Sequence, residues 1–512
     1  MTGLSMKRCV LGMIGWLALS AAALAAEERS LLEVTKAGDH EAALRLIASG
    51  ADVNAAQPDG TTALHWAAYN DDAGLAQALL AKGAKAQVRN QFGVTPLTEA
   101  VKVADVVLVR RLIKAGARAD AANDDGETLL MLAARTGVVD VAKELVQHGA
   151  KVNAKEQWRG QTALMGAAAE ARGEMTAYLI RRGADVETRA FVNDWATQIT
   201  NEPRAQYRPT AGLTALLFAS RAGCEACVLA LLKGHADINR PTPDGVTPLM
   251  TALDNFHFDL ARVLLAHGAN AQLADWWGRT ALYVATDMNS YSGAGRNPQE
   301  KATALDLMQQ LLASGVDPNT QLIMHRPGRG ANSGRFTDDL LTVGATPLLR
   351  AAISCDTDAI RLLLAHGAQV DLPNAMGVTP LMAAAGMGIS IRDPRGNLSG
   401  DVQGKAIAAV EVLLKGGADI NARVTDTSGH TARIARPSTL TNRQGQTALF
   451  GAINWGWPKV VQYLLAHGAR VDITDAAGKT PLDAIAGGAG GRDHKNVDEV
   501  ASLIRAANKG GA

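Results

Sequence analysis

The feature that most constrains this chain is a glycine that returns with a period of about 33 residues along most of its length. Each of these glycines lies two positions before a threonine, and most neighbours in the series are equally spaced. They are Gly60, Gly93, Gly126, Gly160, Gly212, Gly245, Gly278, Gly344, Gly377, Gly445 and Gly478. A fixed period of this length predicts a stack of small structural repeats rather than one core enclosed by all 512 residues.

The threonine of the period indicates where a helix begins. In five repeats it is followed by proline and leucine, at Thr95, Thr247, Thr346, Thr379 and Thr480. A threonine hydroxyl caps the first free amide groups of a helix, and proline suits the first helical position because it has no amide hydrogen to satisfy. A unit of this length with a Thr-Pro-Leu motif resembles the ankyrin-repeat family. The resemblance implies an all-α fold, an α-solenoid in which each repeat is a helix-turn-helix with a hairpin finger and the stack forms a curved superhelix.

We expect about twelve repeats after a separate N-terminal segment, 1–25. The resemblance covers 26–512, and the expected repeats lie near 30–59, 60–92, 93–125, 126–159, 160–211, 212–244, 245–277, 278–343, 344–376, 377–444, 445–477 and 478–512.

The N-terminal segment, 1–25, has the pattern of a secretory signal peptide. Lys7 and Arg8 precede an uncharged run from Cys9 to Leu24, which ends beside the small residues Ala23 and Ala25. The alternative is a membrane anchor, but the run is shorter than the ~20 residues that span a bilayer. We therefore expect cleavage near Ala25, a periplasmic or secreted protein, and no membrane span in the mature chain.

The charge balance argues against one class of partner. The chain has 51 Lys and Arg residues against 50 Asp and Glu residues, so it carries no large positive field to attract nucleic acid. We expect instead a protein or a cell-envelope polymer as partner, and a monomeric chain.

Five insertions interrupt the period, all between the fifth and tenth repeats. Three of them lengthen a finger, at 189–211, 320–343 and 422–444. The other two lie between the two helices of a repeat, at 287–301 and 387–405. Fingers and first helices line the concave face in the ankyrin family, so the insertions are interpreted as shaping a partner site there. The alternative is surface decoration, because repeat stacks tolerate long loops.

Aromatic and arginine side chains in these insertions and at the fingertips suit recognition, because planar guanidinium groups bind carboxylates and phosphates. The candidate partner-binding residues are Trp195, Tyr207, Arg208, Trp276, Trp277, Arg326, Arg329, Arg433 and Arg436. The adjacent pair Trp276 and Trp277 is the preferred anchor.

Cys224 and Cys227 stand close together at the start of a predicted second helix. A structural disulfide is expected in an exported protein, and two free thiols or a redox-active pair are the alternatives. His148, His267, His366 and His467 each precede Gly-Ala at one repeat position, which favours a helix-end role over metal binding or catalysis.

No motif of a catalytic, cofactor or metal site is found in the sequence. We expect a non-catalytic binding scaffold with no cofactor. The alternatives are a thiol or redox-protective accessory protein, and an enzyme with its site among the insertions.

Overall fold

Threonine residues begin the first helix of most repeats, as their position in the period predicts. The Thr95 hydroxyl accepts a hydrogen bond from the backbone N–H of Thr98 (3.1 Å), and Pro96 is the first helical residue. Thr247 accepts the same bond from Met250 (3.2 Å). These bonds satisfy an amide that the helix itself leaves free, so the start of a first helix capped in this way is fixed locally.

The second helix of a repeat begins and ends on different residues. Asp72 accepts a hydrogen bond from the backbone N–H of Leu75 (2.8 Å) at the start of one second helix. Gly149 follows the end of another with φ of +97°, and the next residue, Ala150, donates its N–H to the Leu145 carbonyl (3.0 Å). Glycine adopts this left-handed conformation without the strain that a side chain would add.

The computed structural model describes residues 30–193, 210–290, 299–323, 340–387, 401–425, 443–486 and 496–510. The described residues form twelve successive pairs of helices, and the chain divides into two units, Met1–Ala190 and Phe191–Ala512. The helices of the first unit are α1 Leu31–Lys36, α2 His40–Ala48, α3 Ala63–Tyr69, α4 Ala73–Ala81, α5 Pro96–Val103, α6 Val106–Lys114, α7 Leu129–Thr136, α8 Val139–Gln147, α9 Ala163–Ala169 and α10 Gly173–Arg181.

The second unit contains the remaining fourteen helices and one pair of short strands within the described ranges. They are β1 Val192–Asn193, β2 Thr210–Ala211, α11 Ala215–Ala222, α12 Glu225–Lys233, α13 Pro248–Asp254, α14 Phe258–Ala266, α15 Ala281–Asn289, α16 Ala304–Ala313, α17 Pro347–Ile353, α18 Thr357–Ala365, α19 Pro380–Ala384, α20 Val402–Lys415, α21 Ala448–Asn454, α22 Pro458–Ala466, α23 Pro481–Ala486 and α24 Val497–Gly510.

Within each unit, first helices pack on the first helices of neighbouring repeats and second helices on second helices. Leu130 on α7 and Leu145 on α8 are fully buried, like the equivalent leucines of other repeats. Burying one such side chain contributes roughly 1.5–3 kcal/mol, and no repeat can bury these faces alone. The all-α repeat fold predicted from the glycine period is therefore confirmed.

Two strand residues on each side mark the base of the first long finger. β1 pairs with β2 in an antiparallel register, Val192 opposite Ala211 and Asn193 opposite Thr210. Among the helices that the structure describes, none is both long and apolar enough to cross a membrane.

Candidate partner-binding surfaces

The hairpin fingers are joined sideways by backbone hydrogen bonds. In the first unit Gln91 donates its N–H to the Asp59 carbonyl (2.8 Å), and Gln157 donates to Asp125 (2.7 Å). In the second unit the same bond is made between other fingers, from Trp276 to Asp244 (2.9 Å), from Ala375 to Val343 (2.8 Å) and from Ala476 to Gln444 (2.8 Å). Each bond holds one fingertip against its neighbour, so the tip side chains project from a fixed backbone.

Two fingertips of the first unit expose aromatic side chains. Phe92, which stands immediately before Gly93, is 67% exposed, and Trp158, just before Gly160, is 78% exposed. The Trp158 backbone is fixed in turn, because its N–H donates to the Glu156 carboxylate (2.6 Å). Large apolar side chains held out on a rigid backbone are typical of protein contact surfaces.

The tryptophan pair of the second unit does not form one exposed anchor. Trp276 is 41% exposed, whereas Trp277 is 4% exposed. The Trp277 carbonyl accepts the N–H of Ile323 (2.9 Å), and its ring lies 5.3 Å from the Arg279 guanidinium carbon. The expectation that both rings are available to a partner is thus wrong for Trp277, because the following finger and Arg279 pack around it.

One first helix of the first unit, α3, carries an aromatic pair that is open to solvent at Tyr69. Trp66 and Tyr69 on α3 meet edge to face with ring centroids 5.6 Å apart, and Tyr69 is 58% exposed. The Lys36 ammonium nitrogen lies 5.2 Å from the Trp66 ring centroid, a cation–π arrangement. Sequence inspection did not single out this cluster, although Trp66 and Tyr69 follow the helical spacing of one face.

Two charged side chains at the corresponding positions of the insert-bearing repeats are buried. Asp287 on α15 is 2% exposed and Arg350 on α17 is 0% exposed. The two are paired, Arg350 Nε to Asp287 Oδ1 at 2.5 Å, and Arg350 Nη1 donates to the Ser354 hydroxyl (2.6 Å). Arg350 Nη2 has no hydrogen-bond partner among the described residues. A partner therefore cannot reach the side chains of Asp287 and Arg350.

A second buried ion pair lies at the base of the Trp276 finger. Arg279 Nε donates to Asp275 Oδ2 (2.7 Å), and Arg279 Nη2 lies 3.4 Å from Asp254 Oδ2. Burial raises the pKa of Asp275, while Arg279 acts in the opposite direction. Burial alone lowers the pKa of Arg279, but Asp254 and Asp275 more than offset it, so the pKa is raised and the guanidinium stays charged. Arg279 thus links the finger residue Asp275 to Asp254 on α13, and these charges pair within the protein.

A cleft of about 700 Å³ opens between successive fingers of the first unit, beside Phe92. The four cations that line it are each paired with an acid: Arg89 with Asp124 (2.6 Å), Lys102 with Glu99 (3.0 Å), Arg118 with Asp120 (3.1 Å) and Arg135 with Glu127. The cations of the cleft are therefore already paired within the protein, and the exposed Phe92 ring provides an apolar contact at its edge.

Family models match nearly the whole described chain. Residues 31–117, 100–190, 216–321 and 299–424 match a family described as "Ankyrin repeats (3 copies)", and residues 444–476 match "Ankyrin repeat". The chain belongs to the ankyrin-repeat family. Ankyrin-repeat proteins generally act as protein-interaction scaffolds.

Individual relatives share only part of their length with this ankyrin-repeat chain. It is 35% identical over 113 residues to the "B-cell lymphoma 3 protein homolog" of Mus musculus, covering 22% of each chain. It is 25% identical over 334 residues to the "E3 ubiquitin-protein ligase KEG" of Arabidopsis thaliana, covering 57% of this chain and 19% of that one. The chain thus spans about a fifth of the length of these relatives. The crystal structure of the human ASB11 ankyrin repeat domain is similar with a TM-score of 0.40 and 21% identity, covering 48% of this chain and 99% of that one.

Most insert residues that the sequence singled out lie outside the described residues. These are Trp195, Tyr207, Arg208, Arg326, Arg329, Arg433 and Arg436. Arg423 of the third insertion is described, and its Nη2 donates to the Thr474 carbonyl (2.6 Å) of a later ankyrin repeat. That arginine joins one repeat to another.

The histidines before Gly-Ala close their helices. Nδ1 of His148 lies 2.8 Å from the Glu144 carbonyl oxygen, and His267, His366 and His467 make the equivalent contact at 2.8–3.0 Å. A ring nitrogen that donates to a carbonyl four residues earlier satisfies a free acceptor of the helix end. The predicted helix-end role of these histidines is confirmed.

The cysteines fall into two environments. Cys224 and Cys227 are joined by a disulfide, with sulfur atoms 2.06 Å apart. Cys355 is a free thiol in the turn between α17 and α18, and burial raises its pKa to about 12. Within the described part of the chain, no group of three or more His, Cys, Asp or Glu side chains is arranged to hold a metal ion.

Proposed function

We propose that this ankyrin-repeat protein is a non-catalytic scaffold that is exported from the cytoplasm and holds a protein or a cell-envelope polymer. The observation that carries the proposal is the set of exposed fingertip aromatics, Phe92, Trp158 and Trp276, on fingers joined by backbone hydrogen bonds. A rigid backbone lowers the conformational entropy lost when such side chains are immobilised by a partner.

In the second unit, we place the proposed contact on the fingers. Asp287 and Arg350 are buried on first helices of the insert-bearing repeats, so these side chains are unavailable to a partner. Trp276 remains exposed at a fingertip of the same unit. The partner would therefore be recognised by fingertips and insertions, with the predicted insert aromatics and arginines as further contacts.

Export is supported by the N-terminal sequence pattern and by the chemistry of the cysteines. Lys7 and Arg8 precede the uncharged run that ends at Ala23–Ala25, and the Cys224–Cys227 disulfide suits an oxidising compartment. N-terminal sequencing of the protein recovered from the envelope fraction tests this part. A first residue near Ala26 supports export, whereas an intact N-terminus in the cytoplasmic fraction contradicts it.

Capture from a native envelope extract tests the scaffold itself. The baits are the wild type, a Trp276→Ala variant, a Trp158→Ala variant and a chain that lacks 324–339 of the second finger insertion. The matched control is Leu229→Ala on α12, an exposed apolar residue that is not on a finger. We expect one component to be enriched by the wild type and the control, and enriched less by a fingertip variant or the deletion. Equal enrichment by all five baits would rule out recognition by fingers or by that insertion.

A further inference from the structure

Cys224 occupies a position at which five other repeats of this chain place an aspartate. It is the residue before α12, and its sulfur accepts the backbone N–H of Cys227 (3.1 Å). In five other repeats the equivalent residue is an aspartate whose carboxylate accepts an amide of the first helical turn: Asp39, Asp72, Asp105, Asp356 and Asp401. The free amides and the dipole of a helix start favour a thiolate as they favour a carboxylate.

The two sulfur-bearing residues differ in accessibility. Cys224 is 8% exposed, whereas Cys227 is 0% exposed. Of the two residues, Cys224 is therefore the one with surface that an external thiol can reach. This asymmetry separates an attacked sulfur from a leaving sulfur.

An imidazole packs directly on the turn that carries Cys224. The His257 ring lies so close to Gly223 that a Cβ on Gly223 would be 2.6 Å from Nδ1. His257 Nε2 is 3.1 Å from the Arg221 carbonyl oxygen, and Nδ1 is 3.8 Å from the Glu300 carboxylate. When protonated, this ring places a positive charge beside the turn, opposed by Glu225 on the following residue.

We propose that Cys224–Cys227 is a redox-active disulfide that exchanges with external thiols, with Cys224 as the sulfur that is attacked. An external thiolate bonds to Cys224 Sγ, the Cys224–Cys227 bond breaks, and Cys227 leaves as a thiolate that takes up a proton. A second external thiol then attacks the external sulfur of the mixed disulfide and releases Cys224. Two external thiols are oxidised to one disulfide, and the protein gains two electrons and two protons as two cysteine thiols.

Cys355 provides an internal standard for this exchange. It lies 6% exposed in the turn between two helices, as Cys224 does, but it has no cysteine within reach of a disulfide in the described residues, and burial raises the pKa of its thiol to about 12. Cys355 therefore shares the turn position of Cys224 but lacks a paired sulfur, so its reaction rate is the reference for the test below.

The first test is reduction of the folded full-length chain by glutathione buffers of increasing reducing strength. Aliquots are alkylated, and the mass of the peptide containing Cys224 and Cys227 is measured by mass spectrometry. Circular dichroism of the same samples monitors helicity. We expect a reversible gain of two alkyl groups on this peptide with helicity retained. A disulfide that opens only after denaturant is added would overturn the proposal and assign the bond a purely structural role.

The second test separates the two sulfurs. In a Cys227→Ala variant, we expect oxidised glutathione to form a mixed disulfide with Cys224 at least about tenfold faster than with Cys355. The matched control is Cys224→Asp with Cys227 retained, which restores the cap used in five other repeats and should leave the fold intact. A folded Cys227→Ala protein whose Cys224 reacts no faster than Cys355 would contradict the proposal.

His257 is tested as a positioning residue. A His257→Asn variant keeps a polar side chain before α14 but removes the imidazole that lies against the Cys224 turn, so the reduced form should lose stabilisation. We expect roughly a threefold increase in the ratio of squared reduced to oxidised glutathione at half-reduction. An unchanged ratio would exclude His257 from the site, and a decreased ratio would reverse the assigned electrostatic effect.

Discussion

The His65 ring joins two neighbouring repeats: its Nε2 lies 3.1 Å from the carbonyl oxygen of Val94, the residue before the next capping threonine. Its Nδ1 accepts the backbone N–H of Thr62 (3.1 Å), so the bridging ring is neutral with the proton on Nε2. The residue is 2% exposed, and burial lowers its pKa below the usual 6.5. Protonation would place an extra N–H against the Thr62 N–H, which ties the contact between the repeats to pH.

The first prediction concerns this pH dependence. Since the pKa of His65 is lower in the folded than in the unfolded chain, its contribution to stability is complete above about pH 6.5 and is lost as the pH falls through the lowered value. A His65→Ala variant should be less stable at pH 7.5 by roughly 1–3 kcal/mol, through its lost buried hydrogen bonds. Thermal unfolding from pH 7.5 to 5 should show the two proteins converging in acid. A constant difference across that range would contradict the assigned protonation.

The two adjacent tryptophans should differ in how much stability is lost on truncation to alanine. Trp277→Ala removes a buried ring and should lower the free energy of unfolding by about 3–5 kcal/mol. Trp276→Ala, the matched control one residue away, should cost about 1 kcal/mol or less because the ring is partly exposed. Urea unfolding of both variants measures the difference, and equal losses would show that burial is shared between the two rings.

Replacing only one member of the buried pair Asp287 and Arg350 should lower the stability of the protein. Arg350→Met should lower the free energy of unfolding by about 3–5 kcal/mol, because Asp287 stays buried without its guanidinium partner. Adding Asp287→Asn should recover part of that loss, since the buried carboxylate that lost the Arg350 guanidinium is then removed. A double variant as unstable as the sum of the single variants would show that the pair is not energetically coupled.

Two left-handed glycines provide a matched test of finger packing. Gly268 ends α14 with φ of +90° and open space around a built Cβ, so Gly268→Ala should cost about 1 kcal/mol from backbone strain alone. Gly245 has φ of +84°, but its Cβ would lie 2.9 Å from the Asp275 Cα of the neighbouring finger. Gly245→Ala should therefore cost at least about 2 kcal/mol, as measured by urea unfolding. Similar costs would mean that neighbouring fingers separate easily.

The repeat fold was predictable because its signals are local. A glycine two positions before a threonine specifies a finger end and a helix start within a short stretch of chain, as Gly93 and Thr95 show. The end position of His148 was predictable for the same reason, since its partner is one helical turn away.

The site was less predictable because burial is set by distant residues. Trp277 is fixed by Ile323, and Arg350 by Asp287, 63 positions earlier. Neither contact follows from the period, since insertions of unequal length stand between the partners. The open cluster of Trp66 and Tyr69 was missed for a different reason: both residues lie on a helix whose remaining positions follow the ordinary repeat pattern.

The sideways bonds between fingers involve only main-chain atoms, and the residues that donate them are as different as Gln91, Gln157, Trp276, Ala375 and Ala476. The backbone hydrogen bond between neighbouring fingers therefore does not depend on which side chain the donor residue carries. Substitutions there can alter what the surface recognises while leaving the connection between fingers intact. Descendants of one such scaffold could diverge in partner choice through single changes at the tips, with the frame inherited unaltered.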